Sequence, residues 1–163
     1  SIPHFAISIA LEKDNEIIVG GVYQPLTDEF FWAVKGRGAF CNNLRLRVSS
    51  RENLEDCMIG TGIPHKGMKG HEEYLPGLKT VMENVCGVRR LGAASLDLAY
   101  VAAGKYDGYW EKNLKLVDIA AGSLIVKEAG GKVTDFEGRE EYLNSGRILA
   151  TNFRIHDQLQ KII

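Results

Sequence analysis

Apolar residues alternate with small residues near the start of the chain, which predicts a β-strand. The apolar positions are Phe5, Ile7, Ile9 and Leu11. After a turn at Asp14-Asn15, the run EIIVGGVYQP predicts a buried partner strand. The runs EFFWAVKG and GAFCN, separated by a GRG turn, predict two more strands. Residues 5–42 therefore predict an antiparallel meander.

The GRG turn has two interpretations. Glycine-rich loops cradle phosphate groups, but this one lacks the Lys-Ser/Thr of a P-loop and does not lie between a strand and a helix. A hairpin turn in which Gly36 and Gly38 adopt positive φ is favoured.

Helical and strand patterns alternate from residue 71 to the end of the chain. Apolar residues recur at helical spacing over 71–86. The runs ASLDLAYVAAG, VDIAAGSLIVKEAGG and FRIHDQLQKII predict helices, and VRRLG, YDGYWEK, KVTDFEG and RILATN predict strands. These elements predict an α/β (α+β) layered sandwich, with central antiparallel strands in residues 1–62 and an α/β portion in residues 63–163.

The composition narrows the class of protein. With 45 % hydrophobic and 25 % charged residues the chain predicts one globular domain, and its net charge of −1 provides no basic field for nucleic acid. Three widely spaced cysteines suggest neither a disulfide framework nor a zinc site. No apolar run is long enough to span a membrane and no signal peptide is evident, so we expect a cytoplasmic protein.

Asp118 has two interpretations. It lies in the first turn of an apolar helix, where a carboxylate accepts free backbone N–H groups and contributes roughly 1 kcal/mol. Local context alone favours this cap. Gly92-Ala93-Ala94 marks a second helix start, where small residues serve either close packing or the approach of an anion. If the two helix N-termini converge, they suit a phosphate ester held with Mg²⁺.

Several other polar residues receive simple structural interpretations. Asp97 is expected to be solvated or paired, and His4 and His156 lack convergent partners in the sequence. Ser49 and Ser50 are expected to cap a short turn. The loop TGIPHKGMKG, with His65 and Lys66, is expected to be a surface loop rather than a substrate cover.

The run LGAASLDLAYVAAGKYDGYWEKNLKLVDIAAGSLIVKEAGGKVTDFEG resembles the C-terminal signature of the inositol monophosphatase family. That signature is approximately W-D-x-A-A-G, an apolar stretch and E-A-G-G. The earlier run GVYQPLTDEFFWAVKGRGAFCNN resembles the central hairpin of the family. The likeness covers essentially the whole chain and is greatest to bacterial members, which include extragenic suppressor proteins.

The resemblance implies a role for each candidate residue. Asp118 matches the aspartate that binds the second catalytic metal, Glu111 the glutamate that contacts substrate hydroxyls, and Gly92, Ala93 and Ala94 the segment that lines the substrate pocket. It further implies an α/β sandwich that forms a homodimer and hydrolyses a small phosphorylated polyol or sugar with Mg²⁺. Inositol monophosphate is the expected substrate.

Two departures from the family pattern change these expectations. Val117 stands where the family has tryptophan, which predicts looser binding. The signature D-P-[IL]-D-G-T-T-N-F and an upstream glutamate pair, which supply most metal ligands, are absent. Ser1-Ile2-Pro3-His4-Phe5 resembles the sequence that follows this signature, so roughly 80 to 100 further upstream residues are expected. These 163 residues alone are expected to be a poor catalyst, because Asp118 cannot hold Mg²⁺ tightly by itself.

Alternative functions remain open. Bacterial proteins resembling this chain associate with the transcription machinery, which suggests a non-enzymatic partner. Phosphatase activity on fructose bisphosphate or a nucleotide 3′-phosphate is equally compatible with the family fold.

Overall fold

A computed structural model describes residues 3–65, 67 and 69–163 of the chain. The first sheet is an antiparallel meander in which each strand pairs with the next. Its strands are β1 (Ile7–Lys13), β2 (Glu16–Gln24), β3 (Glu29–Val34), β4 (Gly38–Cys41) and β5 (Leu44–Arg45). The predicted meander is confirmed, with β5 as an additional short strand.

The second sheet is mixed. Its strands are β6 (Met58–Thr61), β7 (Gly87–Arg89), β8 (Gly108–Glu111), β9 (Lys132–Thr134) and β10 (Ile148–Thr151), in the order β7-β6-β8-β10-β9. Strand β6 is parallel to β7 and β8, whereas β10 is antiparallel to β8 and β9. Strand β6 precedes residue 63, where the second predicted portion begins, yet it pairs within this second sheet.

Two helices lie between the sheets. The helices of the described chain are α1 (His71–Asn84), α2 (Ala94–Ala102), α3 (Leu116–Glu128), α4 (Tyr142–Ser145) and α5 (His156–Gln160). Helices α2 and α3 pack against each other, and each contacts both sheets. Residues of α1 and α5 share a second apolar cluster with β6, β8 and β10. The predicted layered sandwich is therefore confirmed.

Several predicted elements are shorter in the structure, among them the terminal helix and β9. The terminal helix begins at His156 rather than at residue 153, because Phe153 has a φ of 75°. Strand β9 stops at Thr134 because the Asp135 side chain closes a turn, accepting the backbone N–H groups of Glu137 and Arg139 at 2.9 and 2.8 Å.

The GRG turn is the predicted hairpin. Gly36 and Gly38 have φ values of 73° and 88°. Their backbone N–H groups both donate to the carboxylate of Glu128, at 2.7 Å each. A side chain of α3, the first residue of E-A-G-G, thus takes the donors that a phosphate would need.

The A-A-G of the signature is a packing motif. A Cβ on Gly20 of β2 would lie 2.8 Å from the backbone oxygen of Ala121, and one on Gly122 would lie 2.6 Å from Cβ of Leu98 in α2. Only glycine allows these approaches, so the motif sets the distances of α3 from β2 and α2.

The outer face of the first sheet carries large apolar side chains. Ile7, Ile9 and Leu11 of β1 are 54, 68 and 54 % exposed. Among the described helices, none is long and apolar enough to cross a membrane.

Candidate functional site

The five predicted site residues line one cavity of about 460 Å³. It lies where the N-termini of α2 and α3 meet the ends of β6 and β8. Its lining includes His4, Gly62, Arg90, Gly92, Ala93, Ala94, Glu111 and Asp118. The structure thus brings together side chains that lie far apart in the sequence, while their individual roles stay predictions.

Asp118 makes the hydrogen bond expected of a residue at a helix start. It is the third residue of α3, and its Oδ2 accepts the backbone N–H of Lys115 at 2.9 Å. A carboxylate has about four acceptor sites, so this bond is compatible with a cation bound to the same group. The cap and metal interpretations therefore do not exclude each other. Val117 is exposed and is not among the described residues that line the cavity.

Glu111 ends β8 with a partly buried side chain. The pKa of Glu111 is raised, chiefly by burial. The hydroxyl of Tyr109 donates a hydrogen bond to Oε2, which opposes this shift. Gly62, which follows β6, leaves room for this carboxyl group, because a Cβ on Gly62 would overlap it. Sequence reasoning missed Gly62, whose importance depends on a contact between two parallel strands.

Gly92, Ala93 and Ala94 form the turn into α2. Gly92 has a φ of 88°, and Ala93 is the residue before the helix and has no side chain able to cap it. The small side chains leave the positive end of the helix open to the cavity. This arrangement suits an anionic group.

The interpretation of Asp97 as solvated or paired was wrong. Its side chain is 1 % exposed, and Oδ1 has no hydrogen-bond partner in the described chain. Burial first, and then the charge of Glu111, raises the pKa of Asp97 to about 7. Asp97 was not predicted to be a site residue, because the residues around it in α2 are typical of a helix in a protein core.

His4 also belongs to the site. It lines the cavity, and its Nε2 is buried with no hydrogen-bond partner among the described residues. Burial lowers its pKa. Nothing in the local sequence indicated this placement, which results from the chain entering β1 beside α2.

Two further predictions were wrong. His156 does have partners, since its ring nitrogens lie 3.0 Å from Oγ1 of Thr134 and 2.9 Å from Oγ1 of Thr151 in the core. Ser49 does not cap a turn but donates a hydrogen bond to Asp107, and Asn53 precedes the 3-10 turn at Leu54–Asp56 with no side-chain cap. Lys66 lies outside the described residues.

A larger cavity of about 860 Å³ adjoins the site and includes none of the five predicted residues. Two of its cationic side chains already form ion pairs, Lys112 with Glu73 at 2.8 Å and Arg147 with Glu137 at 2.9 Å. The smaller cavity is the candidate site, because all five predicted residues line it.

The described residues do not form a complete metal centre. They include no group of three or more His, Cys, Asp or Glu side chains placed to hold an ion. Mg²⁺ keeps its water shell unless several oxygen ligands replace it, so the Asp118 carboxylate alone does not make such a site.

The order of its layers defines the protein as an α/β sandwich. Its candidate site is compatible with an anion, because two helix N-termini and the strand-end glutamate meet at one cavity. The chain belongs to the inositol monophosphatase family, whose sequence model matches residues 1–163.

Individual relatives are similar over nearly the whole chain. Inositol-1-monophosphatase of Rhizobium meliloti is 52 % identical over 99 % of this chain and 61 % of its own length. Nus factor SuhB of Pseudomonas aeruginosa is 47 % identical over 93 % of this chain and 56 % of its own. The crystal structure of extragenic suppressor protein suhB from Bartonella henselae, at 52 % identity, superposes with a TM-score of 0.96 over 99 % of this chain and 63 % of that one. The chain thus spans about three fifths of the length of these relatives.

Proposed function

We propose that the chain forms one side of the active site of a Mg²⁺-dependent phosphatase that hydrolyses a small phosphate monoester, with inositol monophosphate as the first candidate. The observation that carries this proposal is the convergence of Gly92, Ala93, Ala94, Glu111 and Asp118 on one cavity. A relative 52 % identical is named inositol-1-monophosphatase, which supports the choice of substrate.

Each residue has a defined task in this proposal. The open N–H groups at the start of α2 bind phosphate oxygens, which the positive end of the helix favours. Glu111 accepts hydrogen bonds from substrate hydroxyls, and its fixed position orients the polyol. Asp118 would hold one Mg²⁺, and the metal ions of the complete site would activate water and neutralise the leaving oxygen.

Further metal ligands are required, and we propose that they come from polypeptide outside these 163 residues. The relatives offer such polypeptide, because about two fifths of the Rhizobium enzyme lies outside the match. A chimera in which this chain replaces the matched part of that enzyme provides a test. We expect Mg²⁺-dependent phosphate release from inositol monophosphate by the chimera and very little by the 163-residue chain. The unmodified Rhizobium protein is the positive control. A folded chimera that releases no phosphate would contradict the proposal.

A non-enzymatic role in transcription is the second candidate. Relatives 47 and 44 % identical to this chain are named Nus factor SuhB. An affinity pull-down from bacterial lysate, using the chimera and its Asp118→Asn variant, separates the two roles. A partner role predicts that the chimera and its Asp118→Asn variant capture the same transcription proteins. A role as a phosphatase alone predicts that neither captures them and that Asp118→Asn loses the phosphatase activity.

The substrate, the assembly and the location are also proposals. A panel of inositol monophosphate, fructose bisphosphate and a nucleotide 3′-phosphate ranks the possible substrates by kcat/KM. We propose a cytoplasmic homodimer with no nucleic-acid binding of its own, in keeping with a net charge of −1. Light scattering and a DNA titration of the chimera test these points.

A further inference from the structure

Asp97 is a buried acid placed directly behind the candidate phosphate site. It belongs to the first turns of α2, where its backbone N–H donates to the carbonyl oxygen of Ala93, at the start of that helix, at 3.0 Å. The cavity lies in front of the same turn, since Ala93 and Ala94 line it. Asp97 therefore connects the interior of the protein to the helix end proposed to bind the anion.

Burial and the charge of Glu111 raise the pKa of Asp97, and they outweigh the Ala93 backbone and Arg90, which lower it. The titratable and charged groups that face it are Glu111, Arg90, Tyr100, Tyr106 and Tyr109. No cation of the described chain lies within ion-pair distance of it, and Oδ1 has no partner. A buried charge without a paired cation is costly, and a neutral acid avoids that cost.

The charge of Asp97 matters to an anion at the helix start. An ionised carboxylate beside the first turn offsets the positive end of the helix and repels a phosphate group, whereas a neutral acid does neither. Asp97 therefore favours anion binding only in its neutral state.

We propose that Asp97 acts as a neutral acid behind the N-terminus of α2 and so leaves the helix end positive for the phosphate of the substrate. This inference rests on the proposed function. Its consequence is that anion affinity falls as the pH rises through the pKa of Asp97, about 7.

The first test asks whether Asp97 carries a proton. Infrared difference spectra between the chain and its Asp97→Asn variant are compared at pH 6 and pH 8. We expect the carbonyl stretch of a protonated carboxyl group in the pH 6 difference and much less of it at pH 8. Asp157→Asn, which alters an exposed carboxylate, is the matched control and should show no such band. Absence of the band at pH 6 for Asp97→Asn would overturn the inference.

The second test measures anion binding with sulfate, whose charge is constant over this pH range. Amide NMR shifts of Gly92, Ala93 and Ala94 give its apparent Kd at constant ionic strength. We expect binding by the wild-type chain to weaken roughly fivefold from pH 6 to pH 8, the ratio for about 1 kcal/mol of charge–dipole interaction. Asp97→Asn keeps every other titratable group that lines the cavity, so its affinity should change about fivefold less between the two pH values than that of the wild type.

A purely structural role for Asp97 predicts a different result. In that case the wild type and Asp97→Asn share the same pH dependence, which would overturn the inference, as would the absence of sulfate-induced shifts at pH 6. Neither test uses Mg²⁺ or turnover. The inference can therefore fail while the chimera hydrolyses inositol monophosphate, and the chimera can be inactive while both tests succeed.

Discussion

Gly62 and Glu111 are complementary, because the carboxyl group of Glu111 fills the space that a side chain at residue 62 would need. The two residues follow and end the parallel strands β6 and β8, whose pairing fixes their separation. Glu111 therefore has a defined position before any ligand binds.

Gly62→Ala should displace Glu111 from the cavity. In the chimera we expect KM for inositol monophosphate to rise roughly tenfold or more, because a hydrogen bond to a charged group contributes about 1.5–3 kcal/mol. Steady-state kinetics measure this change. Gly87→Ala is the control, since its Cβ would meet only the mobile ends of Arg89 and Met58 at 3.2 and 3.3 Å. Equal KM values for both variants would show that the position of Glu111 is unimportant.

Gly20→Ala tests how closely α3 approaches β2. Its Cβ would lie 2.8 Å from the backbone oxygen of Ala121, and backbone atoms cannot move aside without shifting the helix. We expect a loss of about 1–3 kcal/mol in the free energy of unfolding, measured with urea. Gly21→Ala is the matched neighbour, facing the movable ring of Phe30 at 3.0 Å, and should lose less. A larger loss of stability for Gly21→Ala than for Gly20→Ala would be incompatible with this packing.

Asp97 predicts an unusual dependence of stability on pH. Its pKa in the folded chain is about 7, against 3.8 ordinarily, so the unfolded chain loses this proton first as the pH rises. The folded state therefore loses stability between about pH 4 and pH 7, by up to roughly 4 kcal/mol from this group. Asp97→Asn should remove this loss and be more stable than the wild type at pH 8 but not at pH 4. Urea titrations of both proteins at both pH values measure this change. If the free energies of unfolding of the two proteins differed by the same amount at pH 4 and pH 8, the charge of Asp97 would not have this effect.

Much of the fold could be predicted because local patterns determine it. Alternation identified β1, and turn residues such as Asp14 and Asn15, with φ values of 53° and 61°, marked the first hairpin. Helix α3 followed from its apolar content and from glycines at its end. The candidate site was found through the family resemblance, since Asp118 alone reads as a helix cap and does form that bond.

What the sequence did not reveal depends on contacts between distant segments. His156 lies between Thr134 and Thr151, which come from adjacent strands. Ser49 contacts Asp107, a residue in the approach to β8. In the sequence, Asp97 resembles any polar residue of a helix. It is buried because both sheets and α3 enclose α2. Hydrophobic periodicity identifies a helix with one buried face, so it does not predict that a helix is buried on nearly all sides.

The two roles of Asp118 can be separated by two substitutions. Asp118→Ala removes the hydrogen bond to Lys115 and should cost about 1 kcal/mol of folding free energy. Asp118→Asn retains an acceptor for that bond and should cost less. If both variants lost the same stability, the observed cap would contribute nothing through its hydrogen bond.

The proposed binding of Mg²⁺ by Asp118 is tested most directly by Asp118→Asn in the chimera. The measurement is phosphate release from inositol monophosphate as a function of Mg²⁺ concentration. Asp157→Asn, which changes an exposed aspartate paired with Lys132, is the control. We predict that Asp118→Asn loses activity at all Mg²⁺ concentrations tested or needs far more Mg²⁺, while Asp157→Asn matches the unsubstituted chimera. An Asp118→Asn variant with an unchanged Mg²⁺ dependence and full activity would contradict the claim.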